Sequence, residues 1–256
     1  MGEITGPAVG AQSACRVLQL LKRVASHQPE GVRLKMLVIE SGLDRSTAHR
    51  LLGGLVAEGF VERTDVGKRY RLGLEAMQLG LASVGMPSVV ERFRPMMRRL
   101  ARETGDTVFL IVRSEDYALC LHREEGPYPV KAFVVSTGTR RLLGLSSVGL
   151  AILALRPEAE IAAAYARHMS AYERAGVSLD QLHTIAAEAR RLGYAESMAP
   201  HSHETSGVGC AFRLSATTYA GVSIAAINSR MPAVRKRELG ERLVQELGVF
   251  AWAAKA

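Results

Sequence analysis

The sequence is poor in cysteine and has no long hydrophobic run. Its 256 residues include three widely spaced cysteines, Cys15, Cys120 and Cys210. An odd and scattered set does not form a disulfide framework, so we expect a reducing, cytoplasmic environment. No run of 18 apolar residues is present to span a bilayer, and the first residues lack the basic and apolar segments of a signal peptide. We therefore expect no membrane partner.

Enzyme motifs are absent as well. The sequence contains no Gly-x-Ser-x-Gly elbow, P-loop or Gly-x-Gly-x-x-Gly turn. We expect Cys120 and His122 to project from opposite faces of a strand, which is poor geometry for a nucleophile and its base. His201, His203 and Cys210 resemble metal ligands, but their spacing fits no standard zinc pattern. The sequence therefore predicts a non-enzyme without a metal or another cofactor.

The charge of the chain is concentrated near its start. The chain carries 33 Lys and Arg against 25 Asp and Glu, a formal charge of +8. Residues 13–73 account for 11 of these cations and 6 of these anions, which is +5 over 61 residues. An anionic partner for this segment is one interpretation, and a merely solvated basic surface is the other.

Residues 13–73 predict three short helices followed by a two-stranded hairpin. Ser13 is expected to cap the first helix, Leu34 to begin the second, Asp44 to cap the third and Gly59 to end it. The strands are expected at residues 60–63 and Arg69–Leu72. This order is typical of a winged helix-turn-helix, although the cap of a helical bundle is an alternative.

The third helix carries the residues that such a fold presents to DNA. In a helix-turn-helix, the first residues of the second helix of the pair reach base edges in the major groove. Here these candidate contacts are Arg45, Ser46, Thr47, His49 and Arg50. Arg can bind guanine edges with two hydrogen bonds, and Ser or Thr can bind a base or a phosphate. Lys68 and Arg69 in the hairpin are expected to contact phosphates.

Two adjacent glycines, Gly53 and Gly54, lie within this predicted helix. Each glycine costs about 0.5–1 kcal/mol relative to alanine in a helix interior. The pair either permits close packing against the first helix or simply weakens the third.

Longer motifs in the same segment match one family. Residues 42–52 (GLDRSTAHRLL), 58–63 (EGFVER) and 69–73 (RYRLG) resemble the DNA-binding domain of the IclR family of bacterial transcriptional regulators. Residues 137–141 (TGTRR), 193–195 (GYA) and 207–208 (GV) are similar to landmarks of the ligand domain of the same family. The resemblance covers about residues 13–250.

The resemblance implies an α+β chain of several parts. A flexible tail at residues 1–12 would precede the winged helix-turn-helix at 13–73, a linker helix at 74–87 and a GAF-like α/β effector-binding domain at 88–256. The chain would form a homodimer or a homotetramer. The hydrophobic pattern of the second part predicts helices at 88–104, 149–155, Glu158–Arg167, Leu179–Leu192 and 234–249, and strands at 107–113, 117–123, 130–135, 207–214 and Tyr219–Ile227.

A loop at residues 137–148 leads into a helix that is expected to begin near Ser147. The free N–H groups and the dipole of a helix N-terminus favour an anion, and the hydroxyls of Ser146 and Ser147 can add donors. By motif matching, the resemblance implies effector contacts at Ser147, Val148, Ser197, Cys210, Ser223 and Ala225. The family often has an acid at the position of Ser197 and a serine at that of Ala225. Those departures imply a less polar pocket, which suits an aromatic or larger organic acid.

These observations predict a DNA-binding transcriptional regulator. Its double-stranded operator would control a catabolic operon, and a small organic acid in the C-terminal domain would modulate its affinity or activity. The alternative is an enzyme or metal-sensing domain that uses Cys120, His201, His203 and Cys210 and is tethered to a DNA-binding domain.

Overall fold

The computed structural model describes residues 11–82, 89–131, 135–198, 204–215 and 217–251. The chain divides into two compact units, and the division falls after residue 88. Residues 1–10 of the expected N-terminal tail lie outside the described residues. Within the described part of the chain, no helix has the length and apolar character needed to cross a bilayer.

The first unit contains helices α1 to α4 and strands β1 to β3. These are α1 (Gln12–Ser26), β1 (Val32–Arg33), α2 (Leu34–Ser41), α3 (Arg45–Ala57), β2 (Val61–Arg63), β3 (Arg69–Leu72) and α4 (Leu74–Ala82). The strands form an antiparallel sheet in the order β1-β3-β2. Leu20 of α1, Leu37 of α2 and Leu52 of α3 pack in one core with Tyr70 of β3. The predicted helices and hairpin are thus confirmed.

The starts and ends of these helices agree only in part with the sequence. Asp44 caps α3 as expected, because its carboxylate accepts a hydrogen bond from the Thr47 N–H at 2.8 Å. Gly59 follows α3 with a φ of +73°, a conformation that favours glycine. In contrast, α1 begins at Gln12 with no side-chain cap, so Ser13 lies within its first turn.

The two glycines of α3 face open space. A Cβ built on Gly53 or Gly54 meets no atom within 4 Å, so close packing against α1 does not account for them. We therefore expect Gly54→Ala to raise the free energy of unfolding by about 0.5–1 kcal/mol. Urea unfolding of the full chain measures this change.

Gly73→Ala is the contrasting variant in the same unit. Its Cβ would lie 2.2 Å from the Gly59 carbonyl oxygen, so it should lower the free energy of unfolding by about 1–3 kcal/mol. Equal effects of Gly54→Ala and Gly73→Ala would refute this account of α3.

The second unit is built around one six-stranded antiparallel sheet in the order β6-β5-β4-β9-β8-β7. Its elements are α5 (Val89–Thr104), β4 (Thr107–Ser114), β5 (Tyr117–Glu124), β6 (Arg140–Leu142), α6 (Ser147–Ala154), α7 (Glu158–Arg167), α8 (Met169–Arg174), α9 (Leu179–Leu192), β7 (Ala195–Glu196), β8 (Thr205–Arg213), β9 (Tyr219–Ile227), a 3₁₀ turn (Asn228–Arg230) and α10 (Ala233–Ala251). The α+β class predicted from the sequence is confirmed.

Helices cover both faces of this sheet, because alternate residues of a strand point to opposite faces. Val108 and Leu110 of β4 pack with α5 and α10 in one core. Phe109 and Ile111, their neighbours on β4, pack with α6, α8 and α9 in a second core. The central strands β4 and β9 are therefore buried on both faces.

Short elements account for the differences from the predicted pattern. The expected strand at 130–135 is not formed by residues 130, 131 or 135, and residues 132–134 lie outside the described part. The edge strand is instead β6, which pairs with residues 117–119 of β5. Neither β6, β7 nor α8 was predicted, because pieces of two to six residues depend on their neighbours for pairing rather than on a periodic pattern.

A buried carboxylate joins two segments of the second unit. The Asp106 side chain is 1% exposed and accepts hydrogen bonds from the Arg230 Nε at 2.9 Å and the Arg235 Nη2 at 2.6 Å. Both guanidinium groups also donate to the Thr104 carbonyl oxygen. This cluster ties the start of β4 to the 3₁₀ turn before α10 and to the first turn of α10 itself.

Candidate functional site

The N-terminal half of α3 presents a polar surface to solvent. Ala48, Leu51 and Leu52 are buried in the first unit. The predicted contact residues Arg45, Ser46, His49 and Arg50 are exposed, and Thr47 is half-buried. The helix thus separates its packing residues from its polar ones. This surface has the composition that a groove-reading helix requires.

Asp44 fixes the start of that surface. Its carboxylate accepts hydrogen bonds from the Ser46 hydroxyl at 2.6 Å and from the Thr47 N–H. These hydrogen bonds hold the pKa of Asp44 well below its usual range, so the group is ionised at neutral pH. The Ser46 hydroxyl donates its proton within the protein, which leaves its oxygen as an acceptor for an outside donor.

The two predicted cations of the hairpin, Lys68 and Arg69, differ in their surroundings. Lys68 is exposed in the turn between β2 and β3. Arg69 is half-buried, and its Nη1 donates to the Gly31 carbonyl oxygen at 2.8 Å. Arg69 therefore serves to hold the β1–β3 edge, which the sequence pattern did not indicate. Arg33, directly across from Arg69 on β1, is exposed and was not predicted.

These exposed cations keep their charge available. Within the described ranges, no carboxylate lies at ion-pair distance from Arg45, Arg50 or Lys68. An unpaired guanidinium or ammonium group can bind a phosphate oxygen or a base without first breaking an ion pair.

The second unit contains a cavity between its sheet and the start of α6. The cavity has an empty volume of about 720 Å³ when its open mouth is included. Its walls come from β4, β5, β6, β8 and β9, from the segments before β6 and α6, from the start of α6 and from the segment after β7. The lining residues are Phe109, Ile111, Ala118, Cys120, Val135, Thr139, Arg141, Leu145, Ser146, Ser147, Val148, Ser197, Met198, Thr205, Ser206, Gly207, Ser223 and Ala225.

The N-terminus of α6 lies directly on the sheet at this cavity. Ser146 caps the helix, and its Oγ accepts a hydrogen bond from the Gly149 N–H at 3.2 Å. A Cβ on Gly209 would lie 2.5 Å from the Val148 nitrogen, so only a glycine at that position allows the approach. Ser223 of β9 pairs with Gly209 of β8. This pairing brings the Ser223 side chain to the same part of the cavity.

Six of the seven predicted effector contacts line the cavity. These are Ser146, Ser147, Val148, Ser197, Ser223 and Ala225. Ser197 is held in place by Gly207, because its Oγ accepts the Gly207 N–H at 2.9 Å. Its hydroxyl proton is still available for a ligand.

Cys210 departs from the expectation. Its partner on β9 is Val222, one position away from the Gly209–Ser223 pair. Because strand residues alternate between faces, Cys210 projects to the opposite side of the sheet and packs in the core beneath α5 and α10. Burial raises the pKa of its thiol to about 11. Cys210 therefore does not line the cavity, contrary to the expectation from the sequence.

Arg141 is a lining residue that the sequence pattern did not identify. On β6 it pairs with Ala118, another lining residue. Its neighbour Arg140 instead lies over the ring of Tyr117, with 4.7 Å between the guanidinium carbon and the ring centroid. The alternation of side chains on a strand could have separated the two arginines, but β6 itself was not predicted.

The alternative enzyme or metal site finds no support in the described residues. Cys120 lines the cavity, whereas Cys210 faces the other core, so the two thiols do not converge. Burial also raises the pKa of both thiols, which keeps them protonated and weakly nucleophilic. His201 and His203 lie outside the described residues. Across the described ranges, no three His, Cys, Asp or Glu side chains are grouped to hold a metal ion.

Cys120 and His122 do face opposite sides of the sheet, but for a different reason from the one expected. Residues two apart in a regular strand share a face. Here Ile111 pairs with Cys120 while the adjacent Leu110 pairs with His122, so an irregularity at Leu121 turns the imidazole away. The His122 Nε2 contacts the Glu124 carboxylate at 2.8 Å instead.

In comparisons with known proteins, both units match models of the same family. Residues 82–247 match the family described as bacterial transcriptional regulator IclR C-terminal, and residues 13–65 match the IclR helix-turn-helix domain. The chain is 27% identical over 253 residues to the transcriptional repressor IclR of Escherichia coli, and the match covers 94% of this chain and 89% of that one.

A second relative is similar over a shorter stretch. The HTH-type transcriptional regulator BhcR of Paracoccus denitrificans is 32% identical over 145 residues, which is 57% of this chain and about half (51%) of that relative. Among solved structures, an IclR family transcriptional regulator from Brucella abortus superposes with a TM-score of 0.80 at 20% identity, covering 98% of this chain and 96% of that chain. This last likeness concerns the fold alone.

Proposed function

Because the chain belongs to the IclR family of bacterial transcriptional regulators, we propose that a small organic acid bound in the cavity of its second unit modulates its binding to an operator. As a member of the family, the chain is a DNA-binding regulator rather than an enzyme. The operon, which we propose to be catabolic, and the acid are the parts that need testing. The observation that carries the proposal is a cavity at a helix N-terminus whose described lining combines several hydroxyls with the guanidinium of Arg141.

We assign DNA contact to the exposed start of α3 and to the hairpin turn. Arg45 and Arg50 are the candidates for base contacts, with Ser46, Thr47 and His49 beside them. Lys68 is the candidate for a phosphate contact. Arg69 is a second candidate for a phosphate contact, because its Nη1 donates to the Gly31 carbonyl oxygen and the guanidinium has further N–H groups.

Self-association is supported by an unusual surface on α4. Leu74, Met77 and Leu79 are each more than half exposed on this nine-residue helix. The start of α4 is fixed to the hairpin region by a hydrogen bond from the Glu75 N–H to the Gly59 carbonyl oxygen. A second copy of the chain would bury these side chains, so we propose a dimer or a dimer of dimers.

The test combines a search for a ligand with a DNA-binding assay. The full chain selects its operator from random duplexes, and a panel of carboxylic acids is screened by thermal shift, since a ligand that binds only the folded state raises the melting temperature. We expect an acid that stabilises the chain to change the operator Kd by roughly 5- to 150-fold. Fluorescence anisotropy of a labelled duplex measures that change.

Ala225→Leu is the matched control, because it places a larger side chain in the cavity and leaves α3 unaltered. This variant should bind the operator normally and lose both the thermal shift and the DNA response. An unchanged response in Ala225→Leu would contradict the cavity as the effector site.

A further inference from the structure

Arg141 gives the cavity an unbalanced charge. Among the described lining residues it is the only one that carries a charge at neutral pH, since none is Asp, Glu or Lys. The guanidinium is half-buried, and no carboxylate of the described ranges lies at ion-pair distance. Burial lowers the pKa of Arg141, but an arginine stays protonated in proteins. The cavity therefore holds one positive charge that no described acidic group neutralises.

Two hydroxyls of the cavity wall also make no hydrogen bond within the described part of the chain. Ser147 and Ser223 are each 6% exposed as whole residues and line the cavity, and no described residue is hydrogen-bonded to either side-chain oxygen. Hydroxyls that face a cavity without a protein partner can bind a water or a polar group of a ligand. Ser147 is also the first residue of α6, where the helix dipole favours a negative group.

The remaining walls are largely apolar. Phe109, Ile111, Leu145 and Met198 line the same cavity and are well placed to contact a hydrocarbon group. A second carboxylate on a ligand would lie against these apolar walls or in the mouth of the cavity. No cation of the described lining would pair with it there. The lining thus combines one cation, several hydroxyls and an apolar surface.

We propose that Arg141 makes this cavity selective for monocarboxylates with an apolar body, whose carboxylate it binds together with Ser147 and Ser223. The inference rests on the proposed function, because it concerns the same cavity. A neutral ligand would leave the guanidinium without a counter-ion, and a dicarboxylate would bring a second anion that no described lining residue can neutralise. Arg141 is thereby a specificity-determining residue.

The test uses calorimetric titration of the full chain with three acids and their primary amides. The probes are 3-methylbutanoate, benzoate and phenylacetate, each paired with its amide, which keeps the shape and removes the charge. We expect at least one acid to bind and its amide to bind roughly 10- to 100-fold more weakly. Arg141→Gln should remove the preference for the acid, and Arg141→Lys should restore part of it, because lysine keeps the charge without the forked geometry.

Arg140→Gln is the matched control, since the Arg140 guanidinium lies over Tyr117 and donates to the Ser114 carbonyl oxygen. It should leave the preference for the acid intact. Failure of all three acids to bind, equal binding of acid and amide, or unchanged acid binding in Arg141→Gln would overturn the assignment.

Together, Arg141→Gln and Ala225→Leu distinguish an error in the role of Arg141 from an error in the cavity as the effector site. Acid binding that survives Arg141→Gln but is lost in Ala225→Leu would keep the cavity as the effector site and remove Arg141 from its chemistry. Acid binding that survives both variants would place the ligand elsewhere. Urea unfolding of Arg141→Gln that matches that of the parent chain shows that the variant is folded.

Discussion

Arg45→Ala and Arg50→Ala are each expected to weaken binding to the selected operator by roughly 5- to 150-fold, the equivalent of about 1–3 kcal/mol. Both side chains are exposed on the first turns of α3, and neither is paired with a carboxylate of the described residues. A guanidinium that reads a base edge contributes a specific pair of hydrogen bonds. Anisotropy at fixed salt measures the loss, with a duplex of scrambled sequence for comparison.

Two further variants separate base reading from general charge. Lys68→Ala should weaken binding to operator and scrambled duplexes alike and reduce the salt slope by about one. Arg191→Ala removes a 72% exposed arginine of α9 and should change neither affinity. Normal operator binding by both Arg45→Ala and Arg50→Ala would remove α3 as the recognition helix.

Asp106→Asn is expected to lower the free energy of unfolding by about 3 kcal/mol, the lower end of the range for a broken buried ion pair. The substitution leaves Arg230 and Arg235 without their shared anion, although both guanidinium groups keep 25% exposure, which moderates the cost. Urea unfolding of the full chain, followed by circular dichroism, measures the loss.

Glu103→Gln provides the matched control on the surface of the same unit. Glu103 pairs with Arg242, but both side chains are more than a third exposed, so the change should stay within about 1 kcal/mol. If Asp106→Asn costs no more than Glu103→Gln, the buried cluster does not hold β4 to the start of α10.

The helices and strands in which apolar residues recur at a regular spacing were predictable from the sequence. The apolar positions of α3 recur at helical spacing, and Asp44 precedes them as a cap, so both the helix and its start follow from local chemistry. The hairpin and the long strands β8 and β9 were predicted from the alternation of apolar and polar residues and from the turn residues that bound them. Local pattern was therefore sufficient to place the surface of α3 and the start of α6.

The parts that depend on partners distant in the chain were not predictable. Cys210 and Ser223 both lie on long strands, but only the register between β8 and β9 decides which of them faces the cavity. The sequence pattern does not show that the Arg69 Nη1 donates to the carbonyl oxygen of Gly31, which lies 38 positions earlier in the chain. Arg141 was missed because its orientation depends on β6, a three-residue edge strand with no periodic pattern of its own.

The thermodynamic coupling between acid binding and operator binding is the most direct test of the proposed regulation. Calorimetry gives the Kd of the stabilising acid for the free chain and for the chain saturated with its operator duplex. Because linkage is reciprocal, an acid that modulates operator binding must itself bind the two forms with different affinity. We predict Kd values that differ by at least about fivefold, with the difference lost in Ala225→Leu. Equal Kd values for the free and the operator-bound chain would contradict the account.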